Sequence, residues 1–338
     1  MGSRSRRRLV VAVQAAVLAV IAYFAYRTVS GSLSRTGFLH LRFSVTYLLA
    51  AWAFLFGYYA LYSVGAHLVL RLMGAGSSTV LRAFKLNFAT NIGKYLPGAI
   101  WPAVGRMSLG PQLGLPRRIV APAMVLEMGM SVAGGLLVFF LSLAFGATVP
   151  TGTQPWHWAA LASLVVVGLL PPVWRRVLAF GFRLTKVDAE VPRLSFASTL
   201  GLVAFFAGAW AVAGIGFRLY TTALVADAPG TVLGYIGIYA AACVGGLVIV
   251  FAPGGIGVRE GFLTVLLAPL VGAGPAAVVG FSARVWSTLL ELALAGVALT
   301  LPLKPPEGGQ AEAAGAPEGT ADPAADREGA PDPGGGLL

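Results

Sequence analysis

The sequence predicts an all-α, polytopic integral membrane protein with about six to eight transmembrane helices. Hydrophobic residues make up 57% of the 338 residues and charged residues only 11%, whereas soluble domains carry roughly 25% charged residues. The mean hydropathy is +0.80. The apolar residues also gather in runs near the roughly 20 residues that a helix needs to cross a bilayer. A soluble fold could not bury this much apolar surface.

Each apolar run is a candidate transmembrane helix. In chain order the runs are residues 9–29, 43–70, 119–145, 156–173, 200–225, 233–252 and 276–301. The first run follows a basic cluster, as in a signal peptide, but it is longer than the usual apolar core of such a peptide. We therefore expect it to be retained as the first helix.

Lysine and arginine residues concentrate in alternate connecting segments, which indicates the orientation of the chain. Four arginines lie in residues 1–8, seven basic residues in 71–118 and five in 175–193, whereas residues 145–156 have none. Because basic loops resist translocation, we expect a multi-pass protein of the plasma membrane with a cytoplasmic amino terminus.

The composition changes abruptly near the carboxyl end. Residues 304–338 are rich in Pro, Gly, Ala and acidic residues, which predicts a disordered tail, most simply on the cytoplasmic side. The chain thus divides into a basic terminus (1–8), a transmembrane domain (9–303) and the tail (304–338). Residues 1–303 hold 22 basic and 6 acidic residues. Positive-inside topology explains this surplus, and a further interpretation adds attraction to anionic lipid headgroups; nucleic acid is not an expected partner, since the charges lie in short loops.

Residues 87–107 do not fit the template of a continuous span. Three residues that disrupt helices interrupt them: Pro97, Gly98 and Pro102. Before this break, Asn87, Asn91 and Lys94 recur at helical spacing and form one polar face. Backbone groups freed at the break need protein or water partners, which favours a broken or re-entrant helix beside a cavity. A surface amphipathic helix with a cytoplasmic loop is the alternative.

A second break lies in residues 251–261. Its helix-breaking residues are Pro253, Gly254, Gly255 and Gly257. The adjacent pair Arg259 and Glu260 follows, and we expect the next helix to hold an anion such as a phosphate at its amino terminus with help from Arg259. A tight cytoplasmic turn is one alternative. In another, residues 233–252 span fully and 262–271 cross as a short helix.

The two breaks resemble each other, which predicts a possible inverted repeat with Pro-Gly hinges. Charged residues within the later spans should face a bundle interior and pair, because a bare charge in hydrocarbon costs at least roughly 2.5 to 3.5 kcal/mol. The candidate headgroup-binding residues are Asn91, Lys94, Arg106, Glu127, Arg259, Glu260, Arg284 and Glu291. The candidate hinge residues are Pro97, Gly98, Pro253, Gly254, Gly255 and Gly257.

The motifs resemble those of a known family. Gly-Lys-Tyr-Leu-Pro-Gly (93–98), Val-Gly-Arg (104–106), Pro-Gly-Gly-Ile-Gly-Val-Arg-Glu-Gly (253–261) and the late Arg284 are similar to the lysylphosphatidylglycerol synthase transmembrane region, or flippase-like domain, over about residues 10–300. The resemblance implies a bacterial membrane domain like the flippase half of the multiple peptide resistance factor, which carries aminoacylated phospholipid between leaflets. We expect no lipid-synthesising enzyme activity, since no aminoacyl-transferase domain follows.

We therefore expect a transporter or flippase-like protein for a lipid with an anionic, phosphate-containing headgroup, either a phospholipid or a polyprenyl-phosphate-linked lipid. Arg106, Arg259 and Arg284 would neutralise the headgroup, and nearby glutamates would balance the empty site. A single cysteine and three scattered histidines predict neither a metal site nor a cofactor. A membrane-embedded transferase, or an accessory scaffold in lipid or lipid-linked glycan biosynthesis, is the alternative. The oligomeric state is left open.

Overall fold

The computed structural model describes residues 43–95, 100–145, 163, 170–176, 179, 194–226, 228–248 and 257–302. Within these residues the regular secondary structure is helical and no β-strand occurs, which confirms the all-α class for this part of the chain. Some predicted features lie outside the described residues: the helix at 9–29, most of the run 156–173, the tail at 304–338, and the hinge residues Pro97, Gly98, Pro253, Gly254 and Gly255.

The described chain contains long helices and pairs of shorter helices between them. They are α1 (Val45–Leu72), α2 (Val80–Asn91), α3 (Trp101–Gln112), α4 (Arg117–Ala144), α5 (Phe196–Leu224), α6 (Val232–Val248), α7 (Val258–Val271) and α8 (Ala273–Thr300). A 3-10 turn, Ile92–Tyr95, continues α2 toward the first break. Residues 171–176 are also helical.

Within the described residues, four helices, α1, α4, α5 and α8, are long and apolar enough to cross a membrane. They contain 28 or 29 residues each, so they are about 42 Å long, more than the roughly 30 Å of a hydrocarbon core. They coincide with the predicted runs 43–70, 119–145, 200–225 and 276–301. The predicted run 233–252 contains α6, a shorter apolar helix of 17 residues.

Among the eight helices α1 to α8, the order of helix lengths occurs twice. In the first half, α1 to α4, two long helices flank two short ones of 12 residues each. In the second half, α5 to α8, two long helices flank short helices of 17 and 14 residues. The packing is also reciprocal, because α1 packs on α5, α4 packs on α6, and α8 packs on α2. Each half therefore contributes a short helix to a long helix of the other.

Small residues let these helices approach closely. A Cβ atom at Gly214 of α5 would lie 2.3 Å from the Cα of Ile236 in α6. A Cβ atom at Gly134 of α4 would lie 2.7 Å from the backbone nitrogen of Ala207 in α5. Both distances are too short for a side chain, so glycine is required where these backbones meet, as is common between membrane helices.

Local sequence explains several helix ends. The Thr79 hydroxyl caps α2 by accepting a hydrogen bond from the Arg82 amide at 3.2 Å. Pro102 lies in the first turn of α3, where backbone N–H groups make no hydrogen bond within the helix. The missing N–H group of proline therefore costs nothing there, and Pro102 is compatible with the start of this helix. Gly257 precedes α7 with a φ of 86°, a conformation that favours glycine. The second break thus ends at a residue suited to an abrupt change of chain direction.

Candidate functional site

The charged side chains between the helices form two groups, each completed by hydroxyl groups. We name as the first centre Tyr62, Arg106 and Glu127. We name as the second centre Tyr59, Lys94, Tyr239, Arg259, Glu260, Arg284, Ser287 and Glu291. Seven of the eight candidate headgroup-binding residues belong to one of these two centres.

The first centre is a doubly hydrogen-bonded ion pair between neighbouring helices. Arg106 of α3 places Nη1 3.2 Å from Oε2 of Glu127 and Nη2 3.3 Å from Oε1. Such two-point contacts between guanidinium and carboxylate are among the stronger hydrogen-bonded pairs in proteins. The Tyr62 hydroxyl of α1 lies beside both groups. The side chains of Arg106 and Glu127 are 14% and 5% exposed, so the pair is almost closed to solvent.

In the second centre, Lys94 connects the first break to the other half of the molecule. Its Nζ lies 2.5 Å from Oε2 of Glu291 in α8, and the Tyr59 hydroxyl of α1 donates a hydrogen bond to Oε1 of Glu291 at 2.7 Å. Lys94 reaches this carboxylate because the 3-10 turn extends α2, which packs on α8. Its side chain is 24% exposed, so this part of the centre is accessible.

Arg259, in the first turn of α7, has hydroxyl partners. Its Nη2 donates to the Tyr239 hydroxyl at 2.9 Å, and its Nη1 lies 3.4 Å from Oγ of Ser287. The guanidinium also lies over the Tyr239 ring, 5.1 Å from its centroid, at a distance suited to a cation–π interaction. The buried Nε of Arg259 has no hydrogen-bond partner. Arg259 is therefore held in place by neutral groups, and its Nε–H is not used by them.

Glu260 occupies the position where we expected an anion of the substrate. The backbone N–H of Gly257 donates a hydrogen bond to its Oε2 at 2.5 Å, so this carboxylate caps the amino terminus of α7. Its Oε1 lies 3.8 Å from Nη1 of Arg284 in α8. The Glu260 side chain is only 4% exposed. A bound headgroup would therefore find the start of α7 already capped by a side chain of the protein.

The charges of the second centre do not cancel. Lys94 lies close enough to Arg259 and Arg284 for electrostatic interaction with both. These three cations face two carboxylates, Glu260 and Glu291, so the second centre has a formal charge of +1 among the described residues. The first centre, with one cation and one carboxylate, is neutral. The two centres therefore differ in what they can attract.

The polar face predicted before the first break is divided in the structure. Asn87 is buried and its Nδ2 has no hydrogen-bond partner. Asn91, the remaining candidate headgroup-binding residue, is half-buried at the end of α2. Only Lys94 of this face has a side-chain contact that belongs to the second centre. The 3-10 turn after Asn91 changes the helical spacing, so the three residues no longer share one regular face.

Sequence reasoning missed the tyrosines of both centres. Tyr59 and Tyr62 are three residues apart in an apolar helix, so they lie on one face, and each hydroxyl meets a charged group. Tyr239 lies in the apolar helix α6 and meets Arg259. Their presence in apolar helices could have indicated a polar site, because a buried tyrosine needs a hydrogen-bond partner for its OH group.

Comparison with known proteins gives no match. No protein-family model, no curated protein and no solved structure matches the chain. The resemblance to the flippase-like domain therefore rests on the motifs at the two breaks.

Proposed function

We propose that this protein binds a membrane lipid through an anionic, phosphate-containing headgroup and moves it between the leaflets of the plasma membrane. The observation that carries the proposal is the second centre, where three cations and two carboxylates converge among apolar helices. Charges at membrane depth are costly and typically mark a substrate pathway. A surplus cation favours an anionic ligand.

The chemistry of Arg259 supports a phosphate in particular. A guanidinium presents its N–H groups in a plane that matches the oxygens of phosphate, and Arg259 has an unused Nε–H. The contacts of its Nη2 with Tyr239 and of its Nη1 with Ser287 orient the guanidinium. This fixed orientation reduces the entropy that the side chain loses when a ligand binds.

The proposed architecture has about six to eight spans and two re-entrant elements. The breaks after α2 and before α7 would form these elements, and the two halves would be related as an inverted repeat. The repeated order of helix lengths and the reciprocal packing of α2 and α6 support this arrangement. The basic loops support cytoplasmic termini. We also propose that the chain belongs to the flippase-like family.

The ion pair between Lys94 and Glu291 suggests how transport would proceed. It connects the first half to the second, so any rocking of one half against the other must lengthen or exchange this contact. The Pro-Gly breaks would act as the hinges, with the positive φ of Gly257 at the edge of one of them. A headgroup phosphate between Lys94 and Arg259 would stabilise both cations while the pair is open.

The proposal is tested by leaflet exchange in vesicles. The full chain is reconstituted with acyl-labelled phosphatidylglycerol, and the loss of outer-leaflet label is followed after quenching. We expect exchange well above that of protein-free vesicles, and a loss of at least about tenfold in Arg259→Ala, because an arginine hydrogen-bonded to a charged group is commonly worth over 1 kcal/mol.

The matched control is Arg218→Ala. Arg218 also lies over a tyrosine ring, 5.6 Å from the centroid of Tyr235, but its Nη1 donates to the Gly230 carbonyl oxygen outside both centres. We expect exchange in this variant to stay near that of the unaltered protein. If no anionic lipid exchanges faster than in protein-free vesicles, the proposed function is wrong.

A further inference from the structure

The formal charge of the second centre limits the charge of its ligand. Lys94 and Glu291 form one ion pair, Glu260 faces Arg284, and Arg259 is held by hydroxyl groups. An ion transferred into an apolar environment is stabilised only when its charge is compensated. One bound negative charge brings the centre to neutrality, whereas two leave an uncompensated anion among apolar helices.

We infer that the second centre selects a headgroup with a net charge of −1, that is, a phosphodiester without a cationic substituent, over the dianion of a phosphomonoester. This inference rests on the proposed function and names the substrate class for that site. A phosphodiester carries one negative charge per phosphate. A phosphomonoester carries about −1.5 to −2 at pH 7. The two headgroups offer similar oxygen atoms, so charge is the property that separates them.

The position of Glu260 strengthens the selection. Its carboxylate already receives the Gly257 N–H and faces Arg284, so these two groups are engaged before any lipid arrives. The Arg259 guanidinium, whose Nε–H has no hydrogen-bond partner, is left to meet the phosphate. A second negative charge would lie against the carboxylates of Glu260 and Glu291, which repel it.

The experiment compares three acyl-labelled lipids in vesicles that contain the full chain at pH 8. They are phosphatidylglycerol, a phosphodiester with a net charge of −1; phosphatidic acid, a phosphomonoester; and phosphatidylcholine, a phosphodiester whose choline cation brings the net charge to zero. We expect the unaltered protein to exchange phosphatidylglycerol about tenfold faster than either of the others, because an unpaired charge at membrane depth is strongly disfavoured.

Two substitutions change the charge of the centre in opposite directions with little change in side-chain size. Lys94→Gln lowers the formal charge to zero, and we expect phosphatidylglycerol to lose its advantage over phosphatidylcholine. Glu291→Gln raises the formal charge to +2, and we expect the preference to move by about tenfold toward phosphatidic acid. The double variant Lys94→Gln/Glu291→Gln restores +1 without the ion pair, and it should regain the original preference.

The control for added charge is Gln112→Lys, which introduces a cation at the exposed end of α3 and should leave the lipid ratio unchanged. Size-exclusion chromatography establishes that each variant is folded. If a single variant does not fold, the unaltered protein and the double variant still test the inference, since both must prefer phosphatidylglycerol.

The outcomes separate the inference from the proposed function. If no lipid exchanges above protein-free vesicles, the proposed function fails. The selection by charge is overturned, while transport stands, if phosphatidylglycerol and phosphatidic acid exchange equally. The same holds if the ratio of their exchange rates does not change with the charge of the variants. A double variant that behaves like Glu291→Gln would also overturn it, because the specific contact and not the total charge would then decide.

Discussion

The first and second centres contain similar side chains but differ in their contacts and in their formal charge. In the first, Arg106 and Glu127 pair through two hydrogen bonds across neighbouring helices of one half, and the buried Nε of Arg106, like that of Arg259, has no hydrogen-bond partner. In the second, residues from both halves meet, and Arg259 relies on hydroxyl groups. The first centre joins α3 to α4 by a neutral pair, whereas the second centre has a surplus cation among the described residues, which under the proposed function attracts the headgroup. Burial of charge alone does not identify a binding site.

The comparison also separates the positions of the two centres in the fold. Arg106 and Glu127 lie on consecutive helices, so a short chain reversal brings them together. Lys94 and Glu291 lie on opposite halves and meet because α2 packs on α8. Relative motion of the halves would therefore disturb the second centre and leave the first intact.

The largest expected effect concerns the closed pair. Arg106→Met removes the partner of a buried carboxylate, and we expect the free energy of unfolding to fall by about 3 to 5 kcal/mol. Arg106→Met/Glu127→Leu removes both charges and should recover most of this loss, because no unpaired charge is left. Tryptophan fluorescence during denaturation in detergent measures both values. Equal losses in the single and double variants would contradict a structural ion pair.

A smaller effect is expected when the second centre loses a hydrogen bond but keeps its charge. Tyr59→Phe removes the hydroxyl that donates to Glu291, which should lower the free energy of unfolding by about 1.5 to 3 kcal/mol. The ratio of phosphatidylglycerol to phosphatidic acid exchange should stay constant, since no charge changes.

The control for this variant is Tyr47→Phe at the exposed start of α1, which should change neither stability nor ratio. A shifted lipid ratio in Tyr59→Phe would show that hydrogen bonding, rather than charge, governs selection at the second centre.

The smallest effect tests the packing behind Arg259. A Cβ atom at Gly246 of α6 would lie 3.0 Å from Cβ of Arg259, so Gly246→Ala must shift α7 slightly. We expect a loss of about 1 kcal/mol relative to Gly261→Ala, where the added methyl group meets nothing within 4 Å. The rate of phosphatidylglycerol exchange should also be lower in Gly246→Ala than in Gly261→Ala. If the two variants have the same stability and the same exchange rate, the packing of Gly246 against Arg259 does not affect transport.

Part of the fold was predictable because it depends on local composition. Four apolar runs became the long helices α1, α4, α5 and α8, since length and hydrophobicity are properties of a contiguous segment. The run that contains α6 also forms an apolar helix, but one of only 17 residues. Proline and glycine predict the two breaks, and residues 96–99 and 249–256, where these breaks fall, lie outside the described part of the chain. Pro102 shows the limit of this reasoning, because its effect depends on its position within α3.

Residue type and spacing alone predict the helical class, the long apolar helices and the charged residues that need partners. The pairings between side chains depend on the packing of the helices. Tyr59 and Glu291 are 232 residues apart, and no spacing rule joins them. Glu260, rather than a ligand, caps α7, and Arg259 is left with hydroxyl partners. These outcomes depend on how helices pack across the two halves, which is a property of the whole chain.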